Sequence, residues 1–393
     1  MSDAEIVTDA ATRRAQGGRA AGWGTPAMRI LEGIAGRFSE GRLEVVAPDG
    51  TTRHFGDDRA ALQATLVVRR PRAVYRFLRG GALGFAEAYL DGDVDTPELA
   101  PLLRLCLANA EALADRWQAG PLARALRRLY HRLRPNTKRG SRKNIHAHYD
   151  LGNAFYALWL DPSMTYSAAL FRGSDDLETA QREKYRHLAE RTGIGPESHV
   201  LEVGCGWGGF ALTAAREFGC RVTALTISEE QYAYARKRIA EAGLDDRIEV
   251  RFQDYRDVEG PFDAVVSIEM FEAVGEAWWP TYFAKLQDVL KPGGRCGIQV
   301  ITIADRYFED YRHNVDFIQR YVFPGGMLPS PAAFDRAAGA VGLVTTERTR
   351  FGRDYARTLR LWAERFDRAW PEIRSLGFDE RFRRLWSYYL AYC

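Results

Sequence analysis

The chain has 393 residues and a mass of 44.4 kDa, which allows about two or three domains with a substantial core. Hydrophobic residues make up 46% and charged residues 27%, so the composition excludes wholesale disorder and fibrous repeats. No run of about 18 apolar residues occurs, which excludes a membrane-spanning helix. The polar residues 1–22 predict a flexible tail and not a secretory signal.

Five cysteines and no CxxC pair argue against both a disulfide framework and a zinc site, so no metal is expected. This usage of cysteine predicts a protein of the reducing cytoplasm.

Residues 23–112 predict a small α+β N-terminal domain. A hairpin is expected over 41–56, where β-type residues flank a Pro-Asp-Gly turn. Helices are expected over Ala60–Leu66 and Pro71–Leu78, with a break at Gly80–Gly84. No catalytic cluster stands out in this domain.

A strongly basic segment follows the N-terminal domain. Between residues 116 and 143 there are ten basic residues and no acidic one, whereas the whole chain carries a net charge of only +3. Leucines at spacings of three and four predict a cationic amphipathic linker helix over 113–144. It could contact an anionic membrane surface or merely join two domains. Nucleic acid is disfavoured, because no nucleic-acid module accompanies it.

Residues 145–393 alternate between short apolar strands and amphipathic helices. This alternation predicts a parallel, doubly wound α/β sheet. A last strand is expected over 343–349 and a last helix over 357–370. The main predicted strands are His199–Val203, Arg221–Leu225, Ile248–Phe252, Phe262–Ile268 and Arg295–Ile301.

The sharpest local motif is ExGxGxG, formed by Glu202, Gly204, Gly206 and Gly208 between a strand and a helix. Glycines there permit a tight turn and a close ligand approach at the carboxyl edge of the sheet. A dinucleotide site would show GxGxxG and an acid about 20 residues later. The different spacing, and the acid before the glycines, favour S-adenosylmethionine (AdoMet) and a Rossmann-like class I methyltransferase fold.

Two later segments agree with an AdoMet site. Gln253, Asp254 and Tyr255 follow the third predicted strand, where an acid and an aromatic ring could hydrogen-bond to and stack on an adenine. The Leu-Lys-Pro-Gly-Gly turn at 290–294 is typical of such methyltransferases.

The stretch from about residue 145 to 393 resembles the cyclopropane fatty acid synthase family, which includes the mycolic acid cyclopropane synthases. The motifs that carry the resemblance are His148–Asn153, Met164–Ser167, Glu202–Gly209, Thr226–Ser228 with Gln231, Met270–Gly275, Phe323–Gly326 and Phe351–Tyr355.

The resemblance implies a cofactor and a substrate. The substrate would be the cis double bond of an acyl chain in a membrane phospholipid, which suits a cationic helix and a peripheral place at the inner membrane surface. A homodimer stays open. The implied AdoMet contacts are Tyr149, Tyr166, Ser167, Gly204, Gly206, Thr226 and Gln231, with Gln253, Asp254 and Tyr255 around the adenine.

Methyl transfer to an alkene leaves a carbocation, which aromatic faces can stabilise. Candidate rings are Phe271, Tyr282, Tyr311, Phe317 and Tyr321, although each is more simply explained as core packing. In the family a bicarbonate ion then removes the proton, held by a Cys, a Glu, a His, a Tyr and backbone groups.

The resemblance makes Glu272, Tyr355 and Gln299 the catalytic candidates. Glu272 and Tyr355 match the family, but Ala168 stands where the cysteine is usual and Gln299 where the histidine is usual. Bicarbonate would therefore bind weakly, or the proton would leave elsewhere and give a methyl- or methylene-branched chain. The sequence leaves both outcomes open.

Three functional hypotheses follow. The favoured one is a lipid-alkene C-methyltransferase that makes cyclopropane or branched acyl chains. A small-molecule methyltransferase is the second, because the fold hosts many acceptors. A non-catalytic lipid-binding protein is the third.

Overall fold

The computed structural model describes residues 22–110 and 151–393. Two compact units divide this chain: one holds the described residues 22–110 and 378–393, the other 151–377. No helix of these described stretches is long and apolar enough to cross a membrane. The predicted linker, its basic segment and Tyr149 lie outside the described residues.

The N-terminal unit contains a four-stranded sheet in the order β2-β1-β3-β4. The predicted hairpin is confirmed, because β1 and β2 pair antiparallel with Val46 opposite Thr52. The elements are α1 (Pro26–Ala35), β1 (Arg42–Val46), β2 (Thr52–Gly56), β3 (Gln63–Val68), α2 (Arg72–Leu90), β4 (Val94–Asp95) and α3 (Leu99–Ala108).

One local prediction in this unit is wrong and another is confirmed. The helix expected over Ala60–Leu66 is absent, and β3 pairs parallel with β1 there because Leu66 and Val68 are needed in the core. The break expected at Gly80–Gly84 is present as a kink in α2, because Gly81 has the non-helical values φ 58° and ψ −140°.

The unit of residues 151–377, here called the catalytic unit because it holds the motifs of the predicted AdoMet site, is built on five parallel strands in the order β7-β6-β5-β8-β9, which confirms the doubly wound sheet. The strands are β5 (His199–Val203), β6 (Arg221–Thr226), β7 (Ile248–Phe252), β8 (Phe262–Ile268) and β9 (Leu290–Gln299). The helices are α4 (Asn153–Ala157), α5 (Leu177–Thr192), α6 (Gly209–Phe218), α7 (Glu229–Glu241), α8 (Trp279–Val289), α9 (Asp305–His313), α10 (Phe317–Tyr321), α11 (Pro331–Gly339), α12 (Gly352–Arg368) and α13 (Trp370–Ser375).

The sheet is buried on both faces, with one apolar cluster around α5 and α6 and another around α8. Strand order reverses between β5 and β8, and ligands of such sheets bind at the carboxyl ends of the strands at that point. The last strand predicted over 343–349 does not form. Its β-branched residues suggested a strand, but Val344 is 79% exposed, and Arg348 and Thr345 instead hold Asp335.

The helix α14 (Glu380–Tyr392) belongs to the N-terminal unit, although the sequence analysis assigned it to the methyltransferase domain. Its Arg384 donates hydrogen bonds to the carbonyls of Tyr89 (2.6 Å) and Val94 (2.7 Å). The guanidinium also lies 4.0 Å from the centre of the Tyr89 ring. These contacts lie far from residue 380 in the sequence, so local pattern gave no sign of them.

Candidate active site

The glycine-rich loop lies at the carboxyl end of β5. Gly204, Gly206 and Gly208 adopt φ values of 83°, 52° and 84°, which side chains rarely tolerate. A Cβ on Gly204 would lie 2.7 Å from the Met270 side chain, whereas one on Gly206 would meet nothing within 4 Å. Gly204 thus permits close packing, and Gly206 borders open space where a ligand can approach the backbone.

Glu202 lies beneath this loop and is 2% exposed. Burial raises the pKa of its carboxyl well above the ordinary value, although the backbone N–H of Ala211 in α6 opposes the shift. The contact ties β5 to α6. Its expected role in the AdoMet site stays a prediction.

Three cofactor candidates meet at the ends of β6 and β7. The Thr226 hydroxyl donates to Oε1 of Gln231 (3.0 Å), and the Gln253 N–H donates to the carbonyl of Thr226 (3.0 Å). Ser228 caps α7 by accepting from the Gln231 N–H. Thr226, Gln231 and Gln253 therefore lie together at the carboxyl edge of the sheet, and their contacts with AdoMet stay a prediction.

Asp254 and Tyr255 follow in the next turn. Both carboxylate oxygens of Asp254 accept from the Arg256 guanidinium, at 2.8 and 2.7 Å, and the two side chains are 4% and 8% exposed. Burial raises the pKa of Tyr255 to about 12, and its ring contacts that of Tyr282 edge-on. Sequence reasoning missed Arg256, although a cation two residues after an acid is a plain signal.

Tyr166 and Ser167 lie in the segment that precedes α5. The Tyr166 ring packs among aromatic rings, and the Ser167 hydroxyl accepts from Nζ of Lys184 (2.5 Å). Of the candidate cation-stabilising rings, Phe271 and Tyr282 are fully buried in the apolar core and pack on each other.

The two departures from the family pattern are in direct contact. Nε2 of Gln299 donates to the carbonyl of Ala168 (3.1 Å) and to Oε1 of Glu269 (2.8 Å). The same Oε1 accepts from the Ala168 N–H (2.8 Å). Sequence reasoning missed Glu269, whose only signal was its place directly after a buried strand.

Lys184 of α5 is the buried cation of this cluster, at 2% exposure. Burial lowers its pKa, opposed by the charges of Glu269, Asp161 and Glu202. Burial raises the pKa of Glu269, and the Lys184 charge opposes that shift. Each charge therefore helps the other to persist.

Glu272 is held differently from Glu269. Its Oε1 accepts from the Ile301 N–H (2.6 Å), whereas Oε2 is buried without a hydrogen-bond partner among the described residues. Burial first, and the neighbouring charge of Glu269 second, raise its pKa to about 8. Burial and the Glu269 charge therefore both favour the protonated form of Glu272.

Tyr355 is half-buried in the first turn of α12. The same helix is tied to the segment after Ser167, because Asp354 accepts from the Phe171 N–H and Thr358 from the Ala169 N–H, each at 3.1 Å. Helix α12, whose first turn holds Tyr355, is thus anchored to the segment that also carries Ala168.

A bicarbonate ion does not fit the donors implied for it. Ala168 and Gln299 direct their N–H groups at the Glu269 carboxylate, and a second anion there would be repelled by Glu269. Within residues 22–110 and 151–393, no cluster of His, Cys, Asp or Glu is arranged to hold a metal ion.

The parallel sheet, its reversal point and the glycine loop define a class I AdoMet-dependent methyltransferase. Residues 136–393 match the family model described as mycolic acid cyclopropane synthetase, and the chain belongs to that family as an AdoMet-dependent fatty acid methyltransferase.

Named relatives agree with this assignment. The chain is 40% identical over 367 residues to the tuberculostearic acid methyltransferase UfaA1 of Mycobacterium tuberculosis, covering 89% of this chain and 83% of that one. It is 37% identical over 334 residues to the cyclopropane-fatty-acyl-phospholipid synthase of Escherichia coli, covering 84% and 83%. A solved structure of the mycolic acid cyclopropane synthase CmaA1 complexed with SAH and CTAB is 29% identical, with a TM-score of 0.60 over 64% of this chain and 92% of that one.

Proposed function

We propose that this enzyme transfers the methyl group of AdoMet to the cis double bond of an unsaturated acyl chain in a membrane phospholipid. The acceptor is supported by the names of relatives that modify fatty acyl chains. The implied AdoMet contacts and the catalytic roles of Glu272, Tyr355 and Gln299 are part of this proposal.

An aromatic cluster beside the glycine loop carries the proposal. The Tyr166 ring lies 5.4, 5.5 and 5.3 Å from those of Tyr156, Trp159 and Trp362. Tyr156 in turn lies 5.0 Å from Trp207 of the glycine loop. An alkene is a weak nucleophile whose methylation creates a cation, so a dry pocket with π faces suits this reaction.

We further propose a branched product in preference to a cyclopropane. Ring closure in the family relies on an ion held by a cysteine and a histidine, and Ala168 and Gln299 replace both. The identity to a tuberculostearic acid methyltransferase supports the same choice. A ring and a methylene branch each arise by loss of one proton, so neither needs an oxidant or reductant.

The test uses AdoMet with a trideuterated methyl group and vesicles of unsaturated phospholipid. Mass spectrometry should find acyl chains one carbon heavier, with two deuteriums in a methylene branch or three in a methyl-branched alkene. Ozonolysis cleaves both alkenes and leaves a ring intact. A ring product would contradict the branched assignment. If no label enters phospholipid, the proposed acceptor is wrong, and a parallel reaction with free oleate shows whether unesterified chains are used.

Contact with an anionic membrane through residues 116–143 is also part of the proposal. Anionic vesicles should bind the enzyme at low salt and release it as salt rises, because the Debye length falls from about 10 Å at 0.1 M to about 3 Å at 1 M. Arg127→Glu, Arg128→Glu and Arg132→Glu together should abolish binding. The exposed pair Arg236→Glu and Lys237→Glu in α7 is the control. If the triple variant binds the vesicles as well as the wild type does, the segment serves only as a linker between domains.

A further inference from the structure

Glu269 is the residue that the proposed function leaves without a role. It directly follows β8 at the carboxyl edge of the sheet, and its neighbour Met270 packs against Gly204 of the glycine loop. The side chain is half-buried, so part of it faces open space. The residue adopts φ 48°, a left-handed conformation that a glutamate rarely takes.

The two oxygens of this carboxylate differ. Oε1 accepts from the Ala168 N–H and from Nε2 of Gln299, each at 2.8 Å. No described residue donates a hydrogen bond to Oε2. One oxygen is therefore fixed by two donors, and the other is available to a bound molecule.

Methylation of an alkene obliges some group at this edge to accept a proton, and this step rests on the proposed function. Glu272 is held by the Ile301 N–H, and burial favours its protonated form, while Asp254 is engaged by two bonds from Arg256. Gln299 has no basic atom. Glu269 is the carboxylate left. Burial raises its pKa, and the Lys184 charge and the bonds from Ala168 and Gln299 oppose that shift in favour of the ionised form.

We propose that Glu269 is the catalytic base of the reaction, a carboxylate of the chain itself that acts without bicarbonate. The alkene π pair forms the new C–C bond as the S–CH₃ bond breaks, which releases neutral S-adenosylhomocysteine and leaves a carbocation on the acyl chain. Oε2 of Glu269 then takes a proton, from a carbon next to the cationic centre when an alkene forms or from the transferred methyl group when a ring closes. A methylene branch first needs a 1,2-hydride shift, which moves the cationic centre to the methylated carbon. The C–H pair becomes the new π or ring bond, and the proton leaves Glu269 for solvent before the next turnover.

Glu269→Gln tests the base with little change of shape, because the amide oxygen can still accept from Ala168 and Gln299. Turnover with unsaturated phospholipid vesicles should fall about 10²- to 10⁴-fold, the usual worth of a general base. AdoMet affinity by calorimetry should stay within about threefold, which shows that the variant is folded. Glu259→Gln, an exposed acid before β8, should keep wild-type turnover.

Glu269→Gly supplies a second test. Glycine suits φ 48°, and the lost carboxylate leaves the N–H groups of Ala168 and Gln299 free to bind an added anion. We expect low turnover in carbon dioxide-free buffer and a saturable recovery of at least about tenfold with bicarbonate. The wild-type enzyme should be indifferent to bicarbonate, and Glu269→Gln should not be rescued.

Each result decides the matter. A wild-type enzyme that loses its activity without bicarbonate overturns the inference, and this measurement needs no variant. Glu269→Gln with more than about a tenth of wild-type turnover also overturns it, while the methyltransferase function stands. A wild-type enzyme that never labels phospholipid overturns the proposed function itself, together with the inference.

Discussion

Each unit of the molecule contains carboxyl groups that are wholly or partly buried, and their negative charges are compensated differently in the two units. In the N-terminal unit Asp93 is fully buried and accepts hydrogen bonds from Arg70, Arg72 and Arg76. Burial would raise its pKa, but bonds from Arg72 and Arg70 overcome this and lower it. The negative charge of Asp93 is therefore compensated by three arginines.

In the catalytic unit the balance is reversed. The charge of the buried Lys184 acts on Glu269, the charge of Glu269 acts in turn on Glu272, and the pKa of each carboxyl is raised. Perturbed groups of this kind concentrate at functional sites, because catalysis needs a charge that the fold has not fully neutralised. The comparison indicates that Asp93 serves stability and the Glu269 cluster serves chemistry.

The largest effect we expect concerns the binding of AdoMet, the ligand that the Glu269 cluster must face. Gly206→Val should weaken AdoMet binding by about 100-fold or more, since a branched side chain strains φ 52° and fills the open space above the loop. Calorimetry measures this. Gly243→Val is the matched control, with φ 64° and equally open surroundings. Equal AdoMet affinity in both variants would mean that AdoMet does not bind in the open space beside Gly206, and hence not beside the Glu269 cluster.

Asp93→Asn should lower the free energy of unfolding of the N-terminal unit by about 3 kcal/mol, because it removes the buried partner of three arginines. Urea denaturation measures the loss, and AdoMet affinity should not change. Asp58→Asn, whose side chain is 76% exposed beside Arg42, should cost about 0–1 kcal/mol. An equal loss in the two variants would remove the distinction between Asp93 and a surface acid.

Lys184→Met should act on chemistry more than on stability. Without the nearby cation the pKa of Glu269 rises, so a smaller fraction is ionised at neutral pH. The acid limb of the turnover profile should move to higher pH, with about a tenfold loss at pH 7. Lys237→Met, on the exposed face of α7, should leave the profile unchanged. If the acid limb of Lys184→Met does not move, Lys184 does not influence the pKa of the catalytic base.

The smallest effect we expect is a change in the pH dependence of the free energy of unfolding. Between the ordinary pKa of 4.5 and about 8, folded Glu272 keeps a proton that the unfolded chain releases. The free energy of unfolding therefore falls as pH rises through this window, by up to about 1.4 kcal/mol per pH unit. Glu272→Gln should flatten that dependence, while Glu276→Gln on the same loop should keep it. A wild-type slope in Glu272→Gln would mean that Glu272 is ionised.

The contrast also explains what the sequence could predict. Gly204, Gly206 and Gly208 could be predicted because they lie in one short segment. Thr226 and Gln231 could be predicted for the same reason, since they are only five residues apart. Glu269, Ala168, Gln299 and Lys184 come from four separate segments, so their meeting depends on strand order and register. The strand β3 was missed for the same reason, because pairing with β1 and not local propensity decides it.

Helix α14 gives the order of synthesis a structural meaning. Its Arg384 completes the N-terminal unit at Tyr89 and Val94, yet residues 380–392 leave the ribosome only after all of residues 151–377. Domains usually fold in the order in which they are made. Here the first unit to emerge must wait, without its final helix, until the catalytic unit has been translated, and that interval exposes its apolar face to chaperones and proteases.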